Sequence, residues 1–288
     1  MRRFRTLLLG VGFVLAFAAA MLYVTDQDVR GEDALHRIMR TGVLRVGYAV
    51  EAPYAYIRPD LEVTGESIET ARLVARQLGV RSIEWVQVSF LNLIPELLSG
   101  RFDVIAAGMF VTPQRLQRVA FSLPSLRVAS GLLVRAEAAR AGQDVSEWLQ
   151  HAGGRIATVE GAVEQERLLA LGVPASRLVS ATSASNGLDE LRQGRADALA
   201  LSWPTVYAMQ QKMGSAFKAY RLQVPGHPAY DEVAFAFDPK RDGILLIAGD
   251  KSGVSEAKFY KRLIKKADER YRQHLDQLQT AKPVKKGK

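Results

Sequence analysis

The stretch LRVGYAVEAPYAYIRPDLEVTGESIETARLVARQLGVRSIEWVQVSFLNLIPELLSGRFDVIAA, residues 44–107, changes its hydrophobic period four times. It opens with a short apolar run, Leu44 to Ala49, of strand character. After a turn at Pro59 and Asp60, Gly65 opens a helical stretch in which Ile68, Ala71, Val74, Ala75 and Leu78 recur at spacings of three and four, and Gly79 ends it. Ile83 to Val88 reads as the next strand. Leu91, Ile94, Leu97 and Leu98 mark a second helix stopped by Gly100, and Val104 to Ala107 a third strand. Strand, helix, strand, helix, strand predicts an α/β lobe built on a largely parallel sheet.

Outward from this stretch the alternation repeats. Val128 to Val134 is a further apolar strand, and the polar residues Arg135 to Asp144 are where the chain is expected to enter a second lobe. There, strands are predicted at Ile156 to Val159, Leu178 to Ala181 and Ala196 to Leu201, with helices at Val163 to Leu171 and Ala184 to Arg192. Lys218 to Val224 reads as a strand running back, and Glu232 to Phe237 as one rejoining the first lobe. Past Gly253, residues Phe259, Leu263, Ala267, Tyr271, Leu275 and Leu278 predict a long helix. The expected boundaries are a leader at 1–25, a linker at 26–42 with a short helix ending at Gly42, a first lobe at 43–133, a second at 134–229, a return to the first with the C-terminal helix at 230–280, and a basic tail at 281–288.

With 288 residues, 48% of them hydrophobic and 24% charged, the chain is long enough to bury a sizeable core. Its net charge of +9 sits at the ends. Arg2, Arg3 and Arg5 precede the first apolar run, and residues 251–288 hold twelve Lys and Arg against four acids. The body between carries a small net negative charge, which argues against a nucleic-acid partner. Leu7 to Val24 is free of charge, and with Ala16, Ala18, Ala19 and Ala20 it describes an export signal. It is also nearly long enough to stay as a membrane anchor. Either outcome places the body outside the cytoplasm, because the arginines stay inside. Cysteine is absent, so disulfides, thiolate metal sites and a cysteine-linked lipid are excluded.

Catalytic motifs are scarce. His36, His151, His227 and His274 are far apart, with no metal-ligand partner at helical spacing, so no metal and no cofactor is expected. Gly10 and Gly12 begin a dinucleotide-like pattern that fails at Leu15 and lies inside the leader. Neither a phosphate-loop lysine nor a Gly-x-Ser-x-Gly elbow is present. What remains is a set of polar and aromatic residues just after predicted strands, where open α/β sheets bind ligands. Glu51 and Tyr54 follow the first strand, Phe90 the second, Gly108 and Phe110 the third, and Arg115 comes a short turn later. Glu160 is a further acid in such a position. Singly, the two phenylalanines read equally well as core, Arg115 as a surface residue and Glu51 as a solvated acid. Jointly they offer a guanidinium for a carboxylate, a carboxylate for a cation and three aromatic faces. That set fits a small zwitterion.

At these residues a resemblance emerges. GYAVEAPYAYIRPDLEVTGESIETARLVARQLGV and LIPELLSGRFDVIAAGMFVTPQRLQRVAFSLP resemble the periplasmic solute-binding proteins of polar amino acid importers, family 3, and within it the ectoine and hydroxyectoine binders. The resemblance runs from about Leu44 to Leu201. It implies the type II two-lobed periplasmic-binding-protein fold, α/β, each lobe a mostly parallel sheet flanked by helices with the ligand cleft between them. It implies Arg115 as clamp for the ligand carboxylate, assisted by backbone near Ala107 and Gly108. By the same likeness, Glu51 meets the ring cation inside an aromatic box of Tyr54, Phe90 and Phe110. The turn Glu160, Gly161, Ala162 and Val163 faces the ligand from the second lobe. Amino acid binders place an aspartate where Ser202 stands, which counts against an ordinary α-amino acid and is neutral toward ectoine.

The expected function is therefore capture, by hinge closure, of a small zwitterion for the membrane permease of an ABC importer, by a monomer that is not an enzyme. Two rivals stand beside it: a dehydratase-like enzyme on the same scaffold, drawing on Glu51 or Glu160, and a membrane-tethered sensor. The segment Asp238 to Gly253 departs from the family pattern.

Overall fold

The computed structural model describes residues 34–138, 148–149, 154–223, 225–226 and 228–240. The leader, the long helix past Gly253, the basic tail and the segment from Asp238 onward, apart from its first three residues, lie outside the described residues. So do His151, His227 and His274.

The first lobe begins with helix α1 (Ala34–Thr41) and strand β1 (Val43–Tyr48). A small hairpin of β2 (Tyr56–Ile57) and β3 (Val63–Thr64) leads into α2 (Glu66–Gln77) and β4 (Ser82–Gln87). A 3₁₀ turn at Phe90–Asn92 runs into α3 (Leu93–Leu98), followed by β5 (Val104–Ile105), the single turn α4 (Pro113–Leu116) and β6 (Ala120–Phe121). Strand β1 pairs in parallel with β4 on one side and β5 on the other. Alternation along the strands gives each face its own core. Val46, Val104 and Ala106 pack with Ala71 and Ala75 of α2 and Ile38 of α1, while Ile105 and Ala107 pack with Leu93 and Leu97 of α3.

The chain leaves this lobe through β7 (Leu126–Val128) and enters β8 (Ser130–Arg135). The second lobe adds β9 (Ile156–Val159), α5 (Val163–Ala170), β10 (Leu178–Ala181), α6 (Ala184–Arg192), β11 (Ala198–Ser202), α7 (Trp203–Met213) and β12 (Phe217–Leu222). Its sheet has the order β10-β9-β11-β8-β12, parallel over the first three strands and antiparallel over the last two pairs. Leu132, Val134, Ile156, Ala198 and Ala200 face one core, and Leu133, Ala157, Val159, Leu199 and Leu201 the other.

The chain then returns through β13 (Asp231–Val233), which pairs antiparallel with β7, and ends its described path in β14 (Ala236–Phe237). Strand β14 inserts between β5 and β6, completing the first sheet in the order β4-β1-β5-β14-β6. Each lobe thus holds a mixed sheet rather than a mostly parallel one, because each takes in one antiparallel strand where the chain crosses into it, β14 in the first lobe and β8 in the second.

Two runs expected as single strands are broken, and Glu232 to Phe237 divides into β13 at the crossing and β14 in the first sheet. The apolar run from Val128 to Val134 is not one strand of the first lobe: it breaks at Ala129, whose carbonyl accepts the Trp203 N–H at 2.8 Å, so one part crosses between lobes and the other belongs to the second sheet. Residues 130–133 therefore lie on the second lobe's side of the boundary. The helix α7, with Pro204 in its first turn, was not foreseen.

Candidate functional site

The carboxyl ends of β1, β4 and β5 deliver the first-lobe residues to the side facing the second lobe. Glu51 and Tyr54 lie in a tight turn closed by the Tyr54 N–H on the Glu51 carbonyl at 2.9 Å and by a bridge between Glu51 and Ala55. Tyr54 is buried, its ring packed so closely on Gly108 that a β-carbon there would come within 2.4 Å of the ring. Gly108 also has φ +64, the left-handed region that glycine enters at no steric cost. Its N–H donates to Ser67 Oγ at 3.2 Å, and Ala107 beside it is buried in the first-lobe core.

The Tyr54 hydroxyl reaches across to the second lobe and donates to Ser202 Oγ at 2.9 Å. Ser202 donates to Glu51 Oε1 at 3.4 Å, and Thr205, one turn into α7, donates to the same oxygen at 2.7 Å. Glu51 is thus gripped from the opposite lobe. Its carboxyl is pushed up to about 7 by desolvation first and then by the charge of Glu164, against the lowering effect of the two hydroxyl bonds.

Arg115 forms the second group. Thr112 caps α4 by accepting the Arg115 N–H at 3.2 Å, which fixes the side chain's origin. One guanidinium nitrogen donates to the Phe110 carbonyl at 2.7 Å, the other to the Gly161 carbonyl of the second lobe at 2.9 Å. The cation sits 5.4 Å from the centre of the Phe90 ring. Burial lowers its pKa, opposed by Glu164 and Glu166.

Gly161, at φ +77, turns the chain into α5; Ala162 precedes the helix, and Val163 packs with Phe110. Phe110 is buried among Val128, Val163 and Val233 at the crossing strands. Glu160 accepts from Ser180 at 3.0 Å within its own lobe.

The expected residues therefore gather into two interlobe groups: Glu51, Tyr54, Ser202 and Gly108, and Phe90, Phe110, Arg115 and the 161–163 turn. Glu164, which sequence reasoning passed over, acts electrostatically on both groups, raising Glu51 and opposing the lowering that burial imposes on Arg115. It is buried, accepts from Ser130 Oγ at 3.0 Å, and has its own pKa raised by desolvation against the lowering effects of Arg167, Ser130 and Arg115. Thr205, Ser67, Ser130 and Arg167 were also missed. For Thr205 a signal existed, since it lies three residues after Ser202 on what proves to be one helix turn. Among the described residues no group of three or more His, Cys, Asp or Glu side chains could hold a metal ion.

Residues 44–281 match the bacterial extracellular solute-binding proteins, family 3. The chain belongs to that family. A probable amino-acid ABC transporter periplasmic-binding protein of Sinorhizobium fredii is 31% identical over 219 residues, 75% of this chain and 72% of that one. Arginine-bound ArgBP of T. maritima, residues 20–233, aligns at a TM-score of 0.65 and 25% identity over 74% of this chain and 96% of its own. EhuB in complex with hydroxyectoine aligns at a TM-score of 0.72 and 24% identity, covering 87% of this chain and 99% of its own, and shares the two-lobed fold. Members of family 3 are extracytoplasmic binding proteins of amino acid ABC transporters, in the main not enzymes. Among the described residues no helix is long and apolar enough to cross a membrane.

Proposed function

We propose that this binding protein captures a small zwitterion of the ectoine class between its lobes and presents the closed form to an ABC permease. Arg115 takes the ligand carboxylate, Glu51 takes the cationic group, and Tyr54, Phe90 and Phe110 supply apolar and cation-attracting surface. Backbone at Ala107 and Gly108 and the turn Gly161 to Val163 border the gap, and Ser202 orients Glu51. The single observation that carries the reading is that the acid and the guanidinium both bond across the lobes, Glu51 to Thr205 and Arg115 to Gly161. A ligand bridging those two charges gains most from the closed form, and only such differential affinity shifts the lobes toward it. The protein acts as a monomer, exported by the segment 7–24, which is then removed or kept as an anchor; the mature N-terminal residue separates these.

Calorimetry with ectoine, hydroxyectoine, proline betaine and L-arginine tests the ligand. Tight binding of either ectoine is expected, and Arg115→Ala is expected to weaken it by about 2–5 kcal/mol, because a carboxylate is left unpaired in a desolvated gap. Unchanged affinity in that variant would overturn the assignment. A second reading, turnover of a cyclic acid, draws on the near-neutral Glu51 and on a 30% identity over 115 residues to cyclohexadienyl dehydratase of Pseudomonas aeruginosa, which spans 40% of this chain. Recovery of the ligand chemically unaltered decides against it.

A further inference from the structure

One buried guanidinium outside the two groups contacts the returning crossing strand, the start of β8 and a ring of the first lobe. Arg167 lies on α5, one turn after Glu164, and is 8% exposed. Its side chain donates to Ser130 Oγ at 2.6 Å, and Ser130 is the first residue of β8 after the outgoing crossing strand. It pairs with Asp231, the first residue of the returning crossing strand. Its cation lies 5.8 Å from the centre of the Phe110 ring, which comes from the first lobe and bridges to Val233 of that same returning strand. Ser130 in turn donates to Glu164, the acid that acts on Glu51 and Arg115. The helix that carries Arg167 begins at the turn whose Gly161 carbonyl receives Arg115.

A planar fork with five donors can hold several acceptors at once, where an ammonium acts as a point charge. Here that fork joins the helix after the 161–163 turn to the returning crossing strand, to the first residue of β8 and to a first-lobe ring. Family membership and the assignments of Glu51 and Arg115 account for none of these contacts. Simple neutralisation of Asp231 would explain the ion pair alone and leave the bonds to Ser130 and Phe110 without a purpose.

We propose that Arg167 is a positioning residue for lobe closure, holding the helix that follows the 161–163 turn against the returning crossing strand, the start of β8 and Phe110. The proposal rests on the closing motion proposed above but not on the ligand's identity.

The chain has no cysteine, so a Gln77→Cys, Lys212→Cys background carries one spin label on each lobe at exposed positions. Distances between the labels are measured without ligand and with hydroxyectoine or L-arginine. Arg167→Met is expected to reduce the short-distance population at least twofold without ligand, and Arg167→Lys to give an intermediate value. The double variant Arg167→Met, Asp231→Asn removes the stranded acid and keeps the chain folded should the single change not fold. It is expected to stay open, because the tether is gone even though the charges balance. Recovery of the parent distances in the double variant would mean that Arg167 only neutralises Asp231, and would overturn the proposal. So would parent-like distances in Arg167→Met, or a parent chain that shows no short-distance population under any condition. A failed ligand screen with a shifted ligand-free distribution rejects the ligand reading and leaves this one standing.

Discussion

Glu51 accepts from two hydroxyls of the opposite lobe, yet desolvation and Glu164 hold its carboxyl near neutrality. A ligand cation placed against it favours the ionised form, so binding competes with a proton. Affinity for hydroxyectoine is expected to fall as the pH drops from 8 to 6, by at most about tenfold per unit below the titration point. In Glu51→Gln, affinity is expected to be weaker throughout and flat across that range; calorimetry at three pH values reads both. A sloping profile retained in the variant would assign the proton elsewhere. Glu51 could be read from the sequence because an acid just past a strand end is unusual enough to notice. Glu164 could not, since acids in the first turn of a helix are favoured by its dipole wherever the helix lies. Only the fold reveals that this one is buried and acts on both Glu51 and Arg115.

At the scale of elements, glycine and a buried acid set how closely the pieces approach. Gly108 needs its positive φ and leaves no space for a β-carbon beneath Tyr54. Gly108→Ala is expected to cost about 1–3 kcal/mol and, by displacing the ring, to break the Tyr54 to Ser202 bond; urea unfolding and loss of ligand affinity report the two effects separately. Asp103 is buried, accepts the Arg45 N–H at 2.9 Å and the Arg45 guanidinium at 2.7 Å, and pairs with Arg37 of α1. Asp103→Ala is expected to lower stability by about 1–3 kcal/mol, with little change in ligand affinity, because the cations it releases turn to water. Strands and helices were legible wherever a period ran undisturbed, as in Glu66–Gln77 and Ile156–Val159. The run Val128 to Val134 was not, since its break at Ala129 comes from a hydrogen bond to Trp203, more than seventy residues away in sequence. Helix α7 was left unread, although Pro204 is well suited to a first helical turn.

For the molecule as a whole, desolvation raises the carboxyls of Glu51 and Glu164 with the lobes together, Glu51 being held by hydroxyls of the opposite lobe. A carboxyl raised in the closed form binds its proton more tightly there than in the open form, so closure without ligand is most favourable below the ordinary carboxylate range. That advantage is lost as the pH rises through about 7, where Glu51 ionises even when enclosed. For Glu51 the full span is at most about 3 kcal/mol, diminished by whatever water the half-buried side chain keeps. In the reading proposed above, a ligand cation against Glu51 offsets that charge above neutrality, so that the ligand drives closure. Small-angle scattering without ligand is expected to show a larger radius of gyration at pH 8.5 than at pH 5.5, and Glu51→Gln, which carries no charge at either pH, is expected to lose most of that difference. Equal radii in the parent at both pH values would mean that the lobes do not trade solvent for each other at Glu51, and the electrostatic account of closure would fall.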